Sequence, residues 1–170
     1  MLSAFYFSAK RTVPIDFPID ENTFYIEESE IYKYKLNSAG VRMVEFLKIK
    51  PRGNKENMLI IEAKTSFPKE FDLELDEIAE KLYASIMLIV SIYHKRHKNH
   101  FEELPERFRK IDIFSMEYVF ILIIRNHEDD WLEPIRVMLK DKLNMINKVW
   151  RFSDVFVFNE MMAKNKRIII

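Results

Sequence analysis

Met58-Leu59-Ile60-Ile61-Glu62-Ala63-Lys64-Thr65 begins as a buried strand and ends on two charges. Its leading apolar run is of the kind found in strands covered on both faces. Glu62 and Lys64 stand two residues apart, so in a strand their side chains share one face. Neither a carboxylate nor an ammonium is cheap to bury without a partner. The chemistry of the chain is therefore expected where this strand ends.

Upstream, residues 50–57 (KPRGNKEN) form a polar turn around Pro51 and Gly53, and residues 41–49 (VRMVEFLKI) form a preceding strand. Folding that hairpin with Lys50 opposite Asn57 brings Glu45 opposite Glu62. Directly opposed residues have Cβ atoms about 5 Å apart on one face. Two carboxylates so placed repel. A divalent cation such as Mg²⁺ or Mn²⁺, a taker of oxygen ligands, relieves the conflict, with Lys64 beside it. Further upstream, residues 37–40 (NSAG) are a turn. Residues 30–36 (EIYKYKL) alternate with period two, which predicts the first strand of an antiparallel meander.

Downstream the period changes. A helix is expected from Asp76 to about residue 99, with an apolar stripe of Ile78, Leu82, Ile86, Ile89 and Ile92. A strand follows at Glu117–Ile124, then a helix from Trp131 to about residue 149, and a last strand at Asp154–Asn159. The order β-β-β-α-β-α-β predicts an α/β fold with a mixed, partly antiparallel sheet flanked by helices. No repeat, low-complexity stretch or linker divides residues 1–170, so one domain is expected, with residues 1–28 an arm or edge strand.

Composition narrows the chemistry. Lys and Arg total 27 and Asp and Glu total 27, so no global charge draws the chain to nucleic acid. Cysteine is absent, which excludes disulfides, thiol nucleophiles and Cys-ligated metal. The two glycines, Gly40 and Gly53, stand apart, so neither a Walker A loop nor a dinucleotide fingerprint exists. The longest apolar runs fall short of the ~20 residues that span a bilayer. The opening residues have no signal-peptide pattern. A soluble, cytoplasmic protein without membrane contact is expected.

A carboxylate on one strand, a hairpin, and Glu-x-Lys at the end of the next resembles the PD-(D/E)XK nuclease superfamily, over roughly residues 30–124, with 125–170 as a C-terminal helix and strand. The resemblance implies a restriction-endonuclease-like core: a helix, three antiparallel strands, a helix and a fourth strand. It implies a divalent-metal-dependent nuclease, endo- or exonucleolytic, or a nuclease-derived protein, hydrolysing phosphodiester bonds in DNA in a bacterial defence or mobile-element setting. Glu45 matches the family's first carboxylate, usually Asp. Glu62 matches the second acid and Lys64 the lysine. All three carry catalysis on this reading, with Glu45, Glu62 and the Ala63 carbonyl holding Mg²⁺ or Mn²⁺. Glu27, Glu28 and Glu30 lie about where the family's further acid originates.

Two blander readings compete. The three charged residues form a solvated cross-strand pair, although Met43, Leu47 and Ile60 then share the exposed face by parity. Alternatively the fold is a non-catalytic scaffold or protein-binding domain, in which the three form a structural ion network. For nucleic-acid contact the candidates are Lys48, Arg52 and Lys55 on the hairpin and Lys95, Arg96 and Lys98 after the first helix. His94, His97 and His100 lie among the latter and read as a solvated basic helix end rather than a zinc site. Trp131 and Trp150 are expected to cap the packing of the second long helix. Met138, Met145, Met161 and Met162 are expected to fill core. The aromatic residues near the start, Phe5, Tyr6 and Phe7, are expected to pack on the body or on a second copy in a homodimer.

Overall fold

The computed structural model describes residues 20–67, 71–97, 99–126 and 128–170. Among these residues, five strands form one mixed sheet in the order β1-β2-β3-β4-β5. They are β1 (Thr23–Tyr25), β2 (Phe46–Arg52), β3 (Lys55–Lys64), β4 (Glu117–Ile124) and β5 (Asp154–Asn159). The first three are antiparallel neighbours, whereas β4 lies parallel to β3 and β5 parallel to β4. Each parallel step needs a crossover. Helix α1 (Phe71–Tyr93) and the short α2 (Glu106–Lys110) lie on the first, and α3 (Asp129–Lys142) and α4 (Asn144–Trp150) on the second. Helix α5 (Glu160–Asn165) follows β5.

The hairpin turn is tighter than its polar sequence suggests. Only Gly53 and Asn54 lie outside the ladder, and Gly53 takes φ +60, the left-handed value a two-residue hairpin loop needs at its first position. Pro51 is tolerated within β2 because β1 pairs only as far as Lys48, which leaves the outer side of Pro51 unladdered. The register is as expected: Lys50 faces Asn57, and pairing runs to Phe46 opposite Ile61.

The meander's first strand is elsewhere than expected. Residues 32–36 form a π-helix, closed by the Asn37 N–H donating to the Tyr32 carbonyl at 2.9 Å. Ser29 opens this stretch, since its hydroxyl accepts from the Tyr32 N–H. Thr23–Tyr25, from the segment expected to be an arm or edge strand, supplies the edge strand instead. Helix α1 starts before Asp76 and ends before residue 99. Lys95 takes φ 55, and the Arg96 N–H returns to the Ser91 carbonyl, a left-handed C-terminal cap. The second long helix breaks at the buried Leu143 into α3 and α4.

The sheet is covered on both faces. On one, Leu47, Ile60, Phe120 and Leu122 pack under α1, α3 and α4. On the other, Phe46, Ile61, Val119 and Ile121 are covered by Ala163 of α5 and by Ile168 and Ile169. Trp150 packs edge-on against Tyr118, as a helix-capping residue should. Trp131 lies near Phe71 but is half exposed. Met138 and Met162 pack against the core, but Met145 and Met161 point to solvent, so the methionines are only in part core filling. No helix among the described residues is long and apolar enough to cross a membrane. Phe5, Tyr6 and Phe7 lie outside the described residues.

Candidate functional site at the carboxyl end of β3

Glu62 and Lys64 share the parity of Ile60, so β3 delivers both to the face covered by α1. This is the carboxyl end of a parallel strand, where α/β sheets commonly place ligand sites. Glu62 is fully buried. One of its oxygens, Oε1, accepts a hydrogen bond from Lys81 Nζ at 2.7 Å and lies 3.8 Å from Lys64 Nζ. The other, Oε2, is buried with no hydrogen-bond partner among the described residues.

Helix α1 supplies the rest of the cluster from Glu74, Glu77, Lys81 and Ser85, a stripe at helical spacing. Lys64 Nζ lies 2.5 Å from Glu74 and 3.6 Å from Glu77. Glu77 also pairs with Arg42 at 2.6 Å. The buried Ser85 hydroxyl accepts from the Val44 N–H at 2.9 Å and so ties the entry of β2 to α1. Glu45, the next residue, is half-buried and sits just before β2, one position beyond the last β2–β3 pair, Phe46 opposite Ile61.

The electrostatics follow from this crowding. Burial pushes the Glu62 carboxyl up to about 7; Lys81 opposes the shift and Glu45 adds to it. Burial and then Glu45 raise Glu27 to about 7 as well. Burial acts to lower the Lys81 ammonium, but Glu62, with Glu27 and Glu45 behind it, holds its pKa above the ordinary lysine value. Glu27, Glu45 and Glu62 thus converge electrostatically on Lys81 and Lys64.

Of the three upstream acids, Glu27 belongs to this cluster. Glu28 pairs instead with Lys33, and the Glu30 N–H donates to Glu103. Ala63 is buried. The Lys64 carbonyl accepts from Arg125 N–H on the β4 side, so the Ala63 carbonyl points to the side where pairing with β2 has ended. Among the described residues, no group of three His, Asp or Glu side chains is disposed to hold a metal ion as they stand.

The basic residues expected to touch nucleic acid do not surround this cluster. Lys48 is buried, its ammonium 3.5 Å from Asp20. Arg52 and Lys55 pair with Glu117 at 3.8 and 3.1 Å. Lys55 begins β3 and Lys64 ends it, which at strand rise separates them by roughly 30 Å. Lys95 and Arg96 are exposed beyond the far end of α1, and Lys98 lies outside the described residues. The cations beside the acids are Lys64, Lys81 and Arg42. Lys81 was missed in the sequence because it interrupts the apolar stripe of α1 only once. Its signal is the 74, 77, 81, 85 spacing.

No family model, no characterised protein and no solved structure matches the chain.

Proposed function

We propose that the chain is a divergent, divalent-metal-dependent nuclease of the PD-(D/E)XK kind, acting on DNA in the cytoplasm. The observation that carries this reading is the orphaned Oε2 of the fully buried Glu62, beside Lys64 and one position past the last pair of the β2–β3 ladder, on the side where Glu45 enters β2. An acceptor left unsatisfied at zero exposure costs about 1–3 kcal/mol, more when charged, and a ligand would recover that cost. Three antiparallel strands, a helix and a parallel fourth strand match the later part of the implied restriction-endonuclease-like core and support the same reading, although no helix precedes β1 among the described residues.

The donor chemistry suits the implied metal. Glu62 Oε2, the Glu45 carboxylate and the Ala63 carbonyl are the hard oxygens that Mg²⁺ or Mn²⁺ takes. Bound there, such an ion supplies Lewis-acid polarisation and an acidified water. The chain's own part is to position Glu62 through Lys81, to hold Glu45 through the Ser85–Val44 contact, and to present the Lys64 ammonium to a phosphate oxygen. Lys64 must leave Glu74 to do so.

The test is cleavage of plasmid and single-stranded DNA with Mn²⁺ or Mg²⁺. Cleavage that stops on chelation and falls at least about 100-fold in Glu62→Gln and Lys64→Ala is expected. Cleavage indifferent to both substitutions, or none from a folded chain, rejects the proposal.

The 2.7 Å Lys81–Glu62 contact favours a second reading, a non-catalytic scaffold with a structural ion network. A folded chain that neither cleaves nor binds the ion is its expected outcome.

A further inference from the structure

The face of the sheet away from α1 carries a concavity toward the opposite end of β3 from the acidic cluster. It has a volume of about 370 Å³ and lies between the ends of β2 and β5 and the segment after α5. Small-ligand sites run from about 300 to 1,000 Å³, so this one suits a single compact ligand. Three independent features converge on it.

The first is an orphan. Asn57 is 5% exposed, lines the pocket, and its Oδ1 has no hydrogen-bond partner among the described residues. A buried carbonyl oxygen without a donor is unusual in a folded protein and fits a ligand N–H. The second is uncompensated positive charge. Lys50, Lys166 and Arg167 have no carboxylate within salt-bridge distance among the described residues. Burial, together with the neighbouring Lys48, Lys166 and Arg167, lowers the Lys50 pKa, so the group lacks an anion. Lys50 Nζ donates to the Lys166 carbonyl at 2.5 Å, which fixes the two side by side. Asp154 also lines the pocket, but Lys140 at 2.9 Å and Arg136 at 3.9 Å already neutralise it. The third is an aromatic wall. Phe156 and Phe158 stack with centroids 5.4 Å apart. Lys166 Nζ lies 5.3 Å over the Phe158 ring, while Phe156 stays half-buried at the pocket.

We propose that this pocket binds a nucleoside monophosphate. Its base packs on Phe156, a base N–H donates to Asn57 Oδ1, and its phosphate lies between Lys50 and Lys166. The site is separate from the acidic cluster and does not rest on the nuclease reading.

Titration calorimetry of the full chain with AMP, adenosine and inorganic phosphate tests it. AMP should bind saturably at one site, with adenosine and phosphate each at least about tenfold weaker. Lys166→Ala, at an exposed position, should weaken AMP about tenfold and leave adenosine unchanged. Asn57→Leu, which removes the orphan, should weaken AMP and adenosine alike and leave phosphate unchanged. No saturable AMP binding up to about 5 mM, AMP no tighter than phosphate, or two folded variants that bind as wild type would each overturn the proposal.

Discussion

Replacing Lys81 by methionine is expected to cost about 3–5 kcal/mol of folding stability at pH 8, among the largest losses from any single substitution at this cluster. The substitution leaves the Glu62 carboxylate at zero exposure with Lys64 3.8 Å away and Lys64 itself committed to Glu74. The variant chain must then bury an unbalanced charge or protonate it. Protonation becomes harder by about 1.4 kcal/mol for each pH unit above the unfolded pKa. The loss should therefore shrink to about 1 kcal/mol near pH 5. Adding Glu62→Leu should restore most of the stability, because a hydrophobic replacement of the whole pair is tolerated where half a pair is not. Urea denaturation at the two pH values reads all of this. A Lys81→Met chain as stable as wild type at pH 8 would show that the 2.7 Å contact does not balance Glu62.

The second large effect is a pH dependence with an unusual sign for a carboxylate. Burial first, with Glu45 adding to it, raises Glu62 from 4.5 to about 7. The folded chain therefore binds this proton more tightly than the unfolded chain. The resulting stabilisation is full below pH 4.5 and is lost as pH rises through 7. A shift of that size corresponds to about 3 kcal/mol. Glu27 is raised to about 7 as well and acts with the same sign. Wild-type stability should fall between pH 5 and pH 8. Glu62→Gln, which is neutral throughout, should lose about half of that slope, the remainder belonging to Glu27. Urea midpoints that fall equally in the two chains would place the titration elsewhere.

The part of the fold that the sequence revealed is the part where pattern and geometry have one solution. Glu117–Ile124 and Asp154–Asn159 are legible to the residue, because a continuous apolar run in a parallel sheet has no competing period. The hairpin register follows from its turn, and its ladder ends at Phe46 opposite Ile61, one position short of Glu45 and Glu62. Residues 30–36 misled because tyrosine and lysine alternate there over one helical turn, and Ser29 decides for helix through a backbone contact that no periodicity shows. Lys81 was hidden for a related reason. A single charge on an otherwise apolar helix gains meaning only once β3 is known to end beneath it. The basic hairpin misled in the other direction, since Lys48 turns inward to Asp20 while Arg52 and Lys55 meet Glu117.

Whether Glu62 and its neighbours exist to hold a small hard cation is decided most directly by Mn²⁺ alone. In a thermal-unfolding titration at pH 8, above the Glu62 pKa of about 7, wild type should melt at rising temperature as Mn²⁺ increases. A free-ion concentration of 100 times the dissociation constant should add about 2.7 kcal/mol. The gain should shrink at pH 5, because bound protons compete with the ion, and should vanish in Glu62→Gln. A wild-type melting temperature indifferent to about 5 mM Mn²⁺ at pH 8, or an equal rise in Glu62→Gln, contradicts a metal site at the end of β3.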